Sequence, residues 1–326
     1  MTTLVVAYQL EGNGRTIVAD ALGGAAEAVY LPDLDDAGRA AALRNADAVL
    51  ARTTRELRHG EIALLKDIRL LQFINAGIDF VPLAELPAGV RVATNGGAYA
   101  EPMAEHAIAM ALAAAKRLLV EHAALARGEF NQFARNRMLA GGVCGILGFG
   151  GIGVATARLA RGIGMKVHAI NRRGRSEEPT DWIGTPHQLD LLLSASDVLV
   201  ICTPLTPATL GMIGAPQLAR MKPDAILVNV ARGEIVDERA LYERLVTFPQ
   251  FSACIDAWWI EPIRHGTFRM DQPFMSLPNV IGSPHNSAAA IAGTGTVGLQ
   301  RAIANVRRAL AGETPLHLVP PEDRMM

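Results

Sequence analysis

Three side chains in the last third of the chain have the types and surroundings for chemistry. They are Arg232 in Val228-Asn229-Val230-Ala231-Arg232-Gly233, Glu261 in Asp256-Ala257-Trp258-Trp259-Ile260-Glu261-Pro262, and His285 in Ser283-Pro284-His285-Asn286-Ser287. Each stands where a strand of an apolar series would open from its sheet. A cation can hold a substrate carboxylate and polarise a ketone, an imidazole can deliver a proton, and a carboxylate can orient that imidazole and keep it protonated. The set suits reduction of a 2-keto acid. His59, His106, His122, His168, His187 and His317 form no metal-ligand spacing and read as structural or solvent-exposed, so no metal site is expected.

A second constellation is Gly148-Phe149-Gly150-Gly151-Ile152-Gly153, directly after the apolar run Val143–Leu147 and directly before a helical pattern, Ile152–Arg161. In that context the first glycine permits a tight turn and the second lets backbone N–H groups approach a pyrophosphate. The third lets the helix pack on its strand with its positive end toward the phosphates. At the end of the next strand, where an acid would bond an adenosine ribose, stand Asn171-Arg172-Arg173-Gly174-Arg175. A carboxylate there would repel a 2′-phosphate, whereas Asn171 with Arg172 and Arg173 can bind one. The expected cofactor is NADP (NADPH) in preference to NAD, with NAD possible; a solvated basic turn is the alternative reading.

Positioning these residues requires two rounds of one architecture. Apolar segments Leu4–Ala7, Ala28–Leu31, Ala48–Ala51, Leu71–Ile74 and Val90–Ala93 alternate with helical ones. Glu101–Arg127 reads as one long helix bridging the domains. A second series follows, with strands at Val143–Leu147, Lys166–Ile170, Val198–Thr203, Ala225–Val230, Ser252–Asp256 and Val280–Gly282, and helices at Ile152–Arg161, His187–Leu193 and Glu238–Val246. One more helical stretch, Ala288–Leu310, could return to the first domain. The expected fold class is α/β, two doubly wound parallel-sheet (Rossmann-like) domains with a cleft between them. The boundaries drawn are 1–94 plus 289–326 for a flavodoxin-like substrate (catalytic) domain, and 95–288 for the dinucleotide-binding domain.

Composition excludes several other classes. A chain of 326 residues, half apolar, suits two globular domains, and 31 basic against 32 acidic side chains give no electrostatic grip on nucleic acid. Cys144, Cys202 and Cys254 stand singly, without a disulfide or zinc pattern. Met138–Ala157 is uncharged and long enough to span a bilayer, but its seven glycines suit a buried strand entering a turn. Met1–Leu10 has no basic segment ahead of its apolar stretch, so no secretory signal and no membrane partner is expected, and the setting is cytoplasmic.

Taken together, the glycine fingerprint, Pro204-Leu205-Thr206-Pro207-Ala208-Thr209, the Asn-Val-Ala-Arg-Gly segment, the Asp…Glu-Pro segment and the late Pro-His resemble, in order and over almost the whole chain, the D-isomer-specific 2-hydroxyacid dehydrogenase family. Its members include glyoxylate/hydroxypyruvate reductases, phosphoglycerate dehydrogenases and formate dehydrogenases. The resemblance implies that Arg232 binds substrate, His285 is the acid/base and Glu261 its partner, while Asp256 and the Val230 carbonyl hold the nicotinamide carboxamide. It further implies cofactor contacts at Thr203, Pro204, Thr209 and Ser287. In the first domain Asn75-Ala76-Gly77-Ile78-Asp79 resembles a loop in which the Ala76 and Gly77 N–H groups receive the substrate carboxylate, with Arg52 nearby. A packing or capping role for Arg52 and Asn95 is equally open. Glu105 is the expected structural acid of the bridging helix, and a homodimer is implied, with Glu101–Arg127 near the contact.

The chain departs from the family pattern at Asn171, at Trp258-Trp259 and over 262–278, a longer stretch carrying Arg264, His265 and Arg269 that reads as a flap or an ordinary surface loop. The leading function is NADPH-dependent reduction of a small 2-keto acid, glyoxylate- or hydroxypyruvate-like, to the D-2-hydroxy acid. Oxidation of another small anion, formate or phosphite, and a non-enzymatic, dinucleotide-sensing corepressor-like role are the other readings.

Overall fold

In the computed structural model, residues 2–79, 81, 83, 86–87, 89–289 and 294–324 are described. The chain divides into two compact units, Met1–Tyr99 with Ile291–Met326, and Ala100–Ala290. In the first, β1 (Thr3–Val6), α1 (Gly14–Leu22), β2 (Glu27–Tyr30), α2 (Asp36–Arg44), β3 (Ala48–Ala51), β4 (Leu70–Phe73) and β5 (Val92–Ala93) follow one another. Among the described residues the sheet is five-stranded and parallel, in the order β2-β1-β3-β4-β5, the flavodoxin-like arrangement. Alternating side chains feed two cores. Val5, Val49 and Leu71 pack with Leu31, Leu43 and Leu65 on one face, and Leu4, Val6, Leu50 and Leu70 pack with Val18, Ile303 and Val306 on the other.

The second unit runs α3 (Ala100–Ala115), α4 (Leu118–Ala126), β6 (Val143–Leu147), α5 (Gly151–Gly162), β7 (Lys166–Ile170), β8 (Trp182–Gly184), α6 (Leu189–Ala195), β9 (Val198–Ile201), α7 (Ala215–Arg220), β10 (Ile226–Asn229), α8 (Glu238–Thr247), β11 (Ser252–Ile255), α9 (Pro262–His265) and β12 (Val280–Gly282). A last helix, α10 (Thr294–Leu310), belongs to the first unit and packs on α1, β3 and β4. The second sheet is parallel, in the order β12-β11-β10-β9-β6-β7-β8. Strand order reverses between β6 and β9, the place where such sheets take ligands beyond the strands' carboxyl ends. The fold is therefore two doubly wound parallel-sheet units, as the alternation of segments implies.

Three local expectations are corrected. The stretch Glu101–Arg127 is two helices, because Arg117 takes a left-handed conformation (φ 56°) between α3 and α4. Helix α3 buries Ala104, Ala107, Met110 and Ala111, whereas α4 buries no side chain, so packing does not hold the two on one axis. Strand β8 is absent from the sequence pattern, since three residues are too short to show a period; it pairs with β7 from His168↔Trp182 to Ile170↔Gly184. Finally β9, β10 and β11 stop short of Thr203, Val230 and Asp256, which lie just past the sheet's carboxyl edge. Among the described residues no helix is long and apolar enough to cross a membrane. The three cysteines are free thiols, and burial pushes each up to about 12.

Candidate active site

The end of β10 is shaped by its own last residue. Buried Asn229 accepts the Ala231 N–H at its Oδ1 (3.0 Å) and donates from Nδ2 to the Arg232 carbonyl (2.8 Å), turning the chain so that Arg232 leaves the sheet. Arg232 also donates to the Ala231 carbonyl at 2.7 Å. Gly233 is pressed on the backbone of Trp258 and Trp259; a Cβ there would stand 2.4 Å from the Trp258 carbonyl carbon. The arginine turn and the segment leading to Glu261 are thereby locked together.

Glu261 and His285 form the centre. His285 Nδ1 lies 2.8 and 2.7 Å from the two Glu261 oxygens, and Glu261 Oε1 also accepts the Trp258 N–H at 2.7 Å. Burial alone would push the Glu261 carboxyl up. The His285 hydrogen bond and charge, the Trp258 N–H and the Arg232 charge outweigh it and hold the carboxyl below its ordinary range. The three residues singled out for chemistry therefore act on one another electrostatically.

His285 sits in the left-handed region (φ 51°), an uncommon place for a side-chain-bearing residue. Its turn is held by Asp256, fully buried just beyond β11. Asp256 Oδ1 accepts from the Ser283 hydroxyl (2.5 Å) and the Asn286 N–H (3.1 Å), and Oδ2 accepts from the Ser287 N–H (3.3 Å). His106 on α3 reaches the same cluster, with Nε2 2.9 Å from Ser283 Oγ. Sequence reasoning gives His106 no site role, and Glu105, the acid expected to matter, is exposed. Nothing in the sequence marks His106, because its partner lies 177 residues away.

The 262–278 stretch is anchored at several points along its length. Phe274 is fully buried and stacks on Trp259 (centroids 5.4 Å apart, 6° between planes), and Phe268 meets Trp258 edge-on at 5.6 Å. Arg264 is ion-paired with Glu234, and His265 Nδ1 accepts the Glu261 N–H at 3.0 Å. The tryptophan indoles donate inward, Trp258 to the Ser283 carbonyl (2.8 Å) and Trp259 to the Val236 carbonyl (2.7 Å). Trp258 thus ties both ends of the site together, a role its type alone does not reveal.

At the switch point Gly148 has φ 100°, and a Cβ on it would stand 2.5 Å from the Thr203 nitrogen; one on Gly153 would stand 2.4 Å from the Gly148 carbonyl oxygen. Gly150, by contrast, faces open space with no atom within 4 Å. Helix α5 starts there with no side-chain cap and no acid in its first turn, leaving its N–H groups for an anion. Ile152 lies in that first turn. Thr209 bonds the Pro204 carbonyl (2.7 Å) and the Thr206 N–H (2.8 Å), and so shapes the Thr203–Thr209 loop. Val230 is buried, and the Ser287 hydroxyl is buried without a hydrogen-bond partner among the described residues. An open glycine cradle, an uncapped helix start and an orphaned hydroxyl fit a dinucleotide. Beyond β7, Asn171 closes its own turn, accepting from the Arg173 N–H and donating to the Arg175 carbonyl, both at 2.9 Å; Arg172 and Arg173 are exposed.

In the first unit the Asn75–Asp79 loop follows β4. Among the described residues the Ala76 and Gly77 N–H groups meet no acceptor. Asn75 donates to the Arg52 carbonyl (3.0 Å), and the Arg52 guanidinium lies 4.5 Å over the Tyr8 ring. Both border a cavity of about 360 Å³ that Tyr99 also lines. Asn95 is a structural clamp, donating to the Ile74 and Gly298 carbonyls at 3.2 and 2.7 Å.

Residues 108–287 match the family model described as D-isomer specific 2-hydroxyacid dehydrogenase, NAD binding domain. The chain is 29% identical to the hydroxypyruvate reductase of Thermotoga maritima over 257 residues, 78% of this chain and 82% of that protein. It is 31% identical to the glyoxylate reductase of Korarchaeum cryptofilum over 258 residues, 76% of this chain and 75% of that one. A solved D-isomer specific 2-hydroxyacid dehydrogenase from Xanthobacter autotrophicus Py2, in complex with NADPH and MES, superposes with a TM-score of 0.78 at 25% identity, covering 98% of each chain.

Proposed function

This chain belongs to the D-isomer specific 2-hydroxyacid dehydrogenases, nicotinamide-dependent oxidoreductases, and on that premise we propose that it reduces a small 2-keto acid, glyoxylate or hydroxypyruvate in kind, to the D-2-hydroxy acid with NADPH as the preferred cofactor. The observation that carries this reading is the His285–Glu261 pair at 2.7 Å beside the Arg232 charge. When bound, the nicotinamide supplies a hydride. With its Nδ1 proton held by Glu261, the His285 imidazolium gives the substrate oxygen its Nε2 proton and reverts to one defined neutral tautomer. Arg232 binds the substrate carboxylate and polarises its carbonyl. In the first unit, the open N–H groups of Ala76 and Gly77 and the Arg52 guanidinium serve the substrate's carboxylate.

Asp256, the Val230 carbonyl and the Ser287 hydroxyl are assigned to the nicotinamide carboxamide, and Gly148, Gly150, Gly151, Ile152 and Gly153 to the pyrophosphate. Thr203, Pro204 and Thr209 form the loop beside it. Asn171 sets the turn from which Arg172 and Arg173 meet a 2′-phosphate. A homodimer is supported by the exposed apolar side chains Leu118, Leu119, Leu125, Phe130, Phe133 and Met138; light scattering that returned a monomer would contradict it. The cytoplasm is the proposed setting. A panel of 2-keto acids assayed with NADPH and NADH tests the reading: turnover of small 2-keto acids, faster with NADPH, is expected, and a panel without turnover would defeat it.

A further inference from the structure

The Ser283 hydroxyl has one proton and two neighbours that bear on it. Its Oγ lies 2.5 Å from Asp256 Oδ1 and 2.9 Å from His106 Nε2. Asp256, buried and surrounded by donors, accepts only, so the Ser283 proton goes to it. Ser283 Oγ must then accept from His106, which fixes a proton on His106 Nε2 whether the ring is neutral or charged. The direct separation of His106 Nε2 and Asp256 Oδ1 is 3.7 Å, so the hydroxyl is the intermediary. The remaining neighbour of Ser283 Oγ from α3 is the Met110 sulfur at 3.9 Å, a weak acceptor that cannot replace the imidazole donor.

The same Asp256 carboxylate takes the N–H groups of Asn286 and Ser287, the two residues that follow left-handed His285. We propose that His106 is a positioning residue for the acid: through Ser283 it fixes the Asp256 carboxylate, and through that carboxylate the turn that aims His285. The inference rests on the reading of His285 as proton donor. It gives α3 a direct hold on the geometry of the site, by way of a side chain that need not touch substrate.

His106→Phe keeps a ring and removes the donor, Ser283→Ala cuts the next link, and His106→Gln places an amide N–H near the lost Nε2. Turnover at saturating keto acid and cofactor should fall about fivefold to tenfold in the first two, the worth of one hydrogen bond, with the KM for keto acid within about twofold. His106→Gln should recover most of the loss, and the His106→Phe/Ser283→Ala double variant should be no worse than Ser283→Ala. In the cofactor-free protein, the downfield NMR signal of the His285 Nδ1 proton should broaden in the Phe and Ala variants and return with Gln. Parental turnover and an unchanged Nδ1 signal in His106→Phe would overturn the proposal, as would a lowered melting temperature with both of these intact, which makes His106 only a packing residue. If His106→Phe misfolds, the same two readouts on Ser283→Ala decide for or against the relay. His285→Ala separates the two claims: full activity there removes the proton donor itself, whereas an inactive His285→Ala beside unaffected His106→Phe and Ser283→Ala removes only the relay.

Discussion

Two turns at the carboxyl edge of the second sheet are built in opposite ways. The 283–287 turn is held from outside itself, by Asp256 at the end of β11, by the Trp258 indole and by Glu261 on the His285 ring. The 171–175 turn closes on its own first residue, the Asn171 carboxamide, and presents its arginines to solvent. A side chain whose conformation is uncommon and whose aim, on the proposed mechanism, decides chemistry needs several buried partners, each costly to leave unpaired. An exposed charge proposed to select between two cofactors needs only a stable stem. Changes in the first turn should therefore act on turnover, and changes in the second on cofactor choice.

The sharpest contrast is His285→Ala, which should cut turnover by about two orders of magnitude or more, as for loss of a general acid, while cofactor affinity measured by fluorescence titration stays near the parent's. Near-normal turnover across the pH range would place the chemistry elsewhere. Arg232→Lys comes next. One charge remains but the planar fork is lost, so a drop of about tenfold or more in kcat/KM, shared between kcat and KM, is expected from steady-state kinetics. Unchanged kinetics would reduce Arg232 to a general positive charge.

How much of this is readable in the chain follows from range. Where a property is local, the sequence shows it: Val143–Leu147 and Lys166–Ile170 are strands to the residue, and the glycine fingerprint runs from the end of β6 into the first turn of α5. Apolar runs overshoot β9, β10 and β11 because Val230 and Asp256 are as buried as the strands they follow and Thr203 is partly buried, yet all three lie past the last paired residues of the ladders. Arg232, Glu261 and His285 are legible by type and strand-end position. His106, Asn229 and Trp258 are not, since an ordinary helix histidine, a strand-end amide and a core indole gain their roles only from the partners they meet. The break at Arg117 is invisible for the same reason: what differs across it is what α3 and α4 pack against.

The self-closed turn provides the next test. Arg173→Ala should lower kcat/KM for NADPH by about tenfold, the order of one charge-assisted hydrogen bond partly screened by solvent, and leave that for NADH near the parent's. Asn171→Asp should go further and favour NADH, because its carboxylate repels the 2′-phosphate while Oδ1 can still accept the Arg173 N–H. Both are read as the ratio of kcat/KM for the two cofactors at fixed ionic strength. A parent that prefers NADH, or a ratio that neither change moves, would make the arginines a solvated turn and erase the functional half of the contrast.

The smallest effect concerns stability and belongs to the braced side. Burial raises the Glu261 carboxyl, but the His285 bond and charge, the Trp258 N–H and the Arg232 charge bring it below its ordinary 4.5. A carboxyl lowered in the folded state adds stability that is complete above its unfolded value and is lost as pH falls through the folded one. Glu261→Gln, close in shape but uncharged, should therefore melt below the parent at pH 7, by on the order of 2 °C for a chain of this size. That gap should narrow as the pH falls below the ordinary glutamate range and the parent's own carboxyl takes up its proton. The 171–175 turn supplies the control: Arg172 and Arg173 are exposed, so Arg173→Ala should leave the melting curve unchanged at both pH values. A gap for Glu261→Gln that stays constant from pH 7 to about pH 3.5 would mean that the side chain holds its place by packing alone and that the His285 turn is not braced by charge.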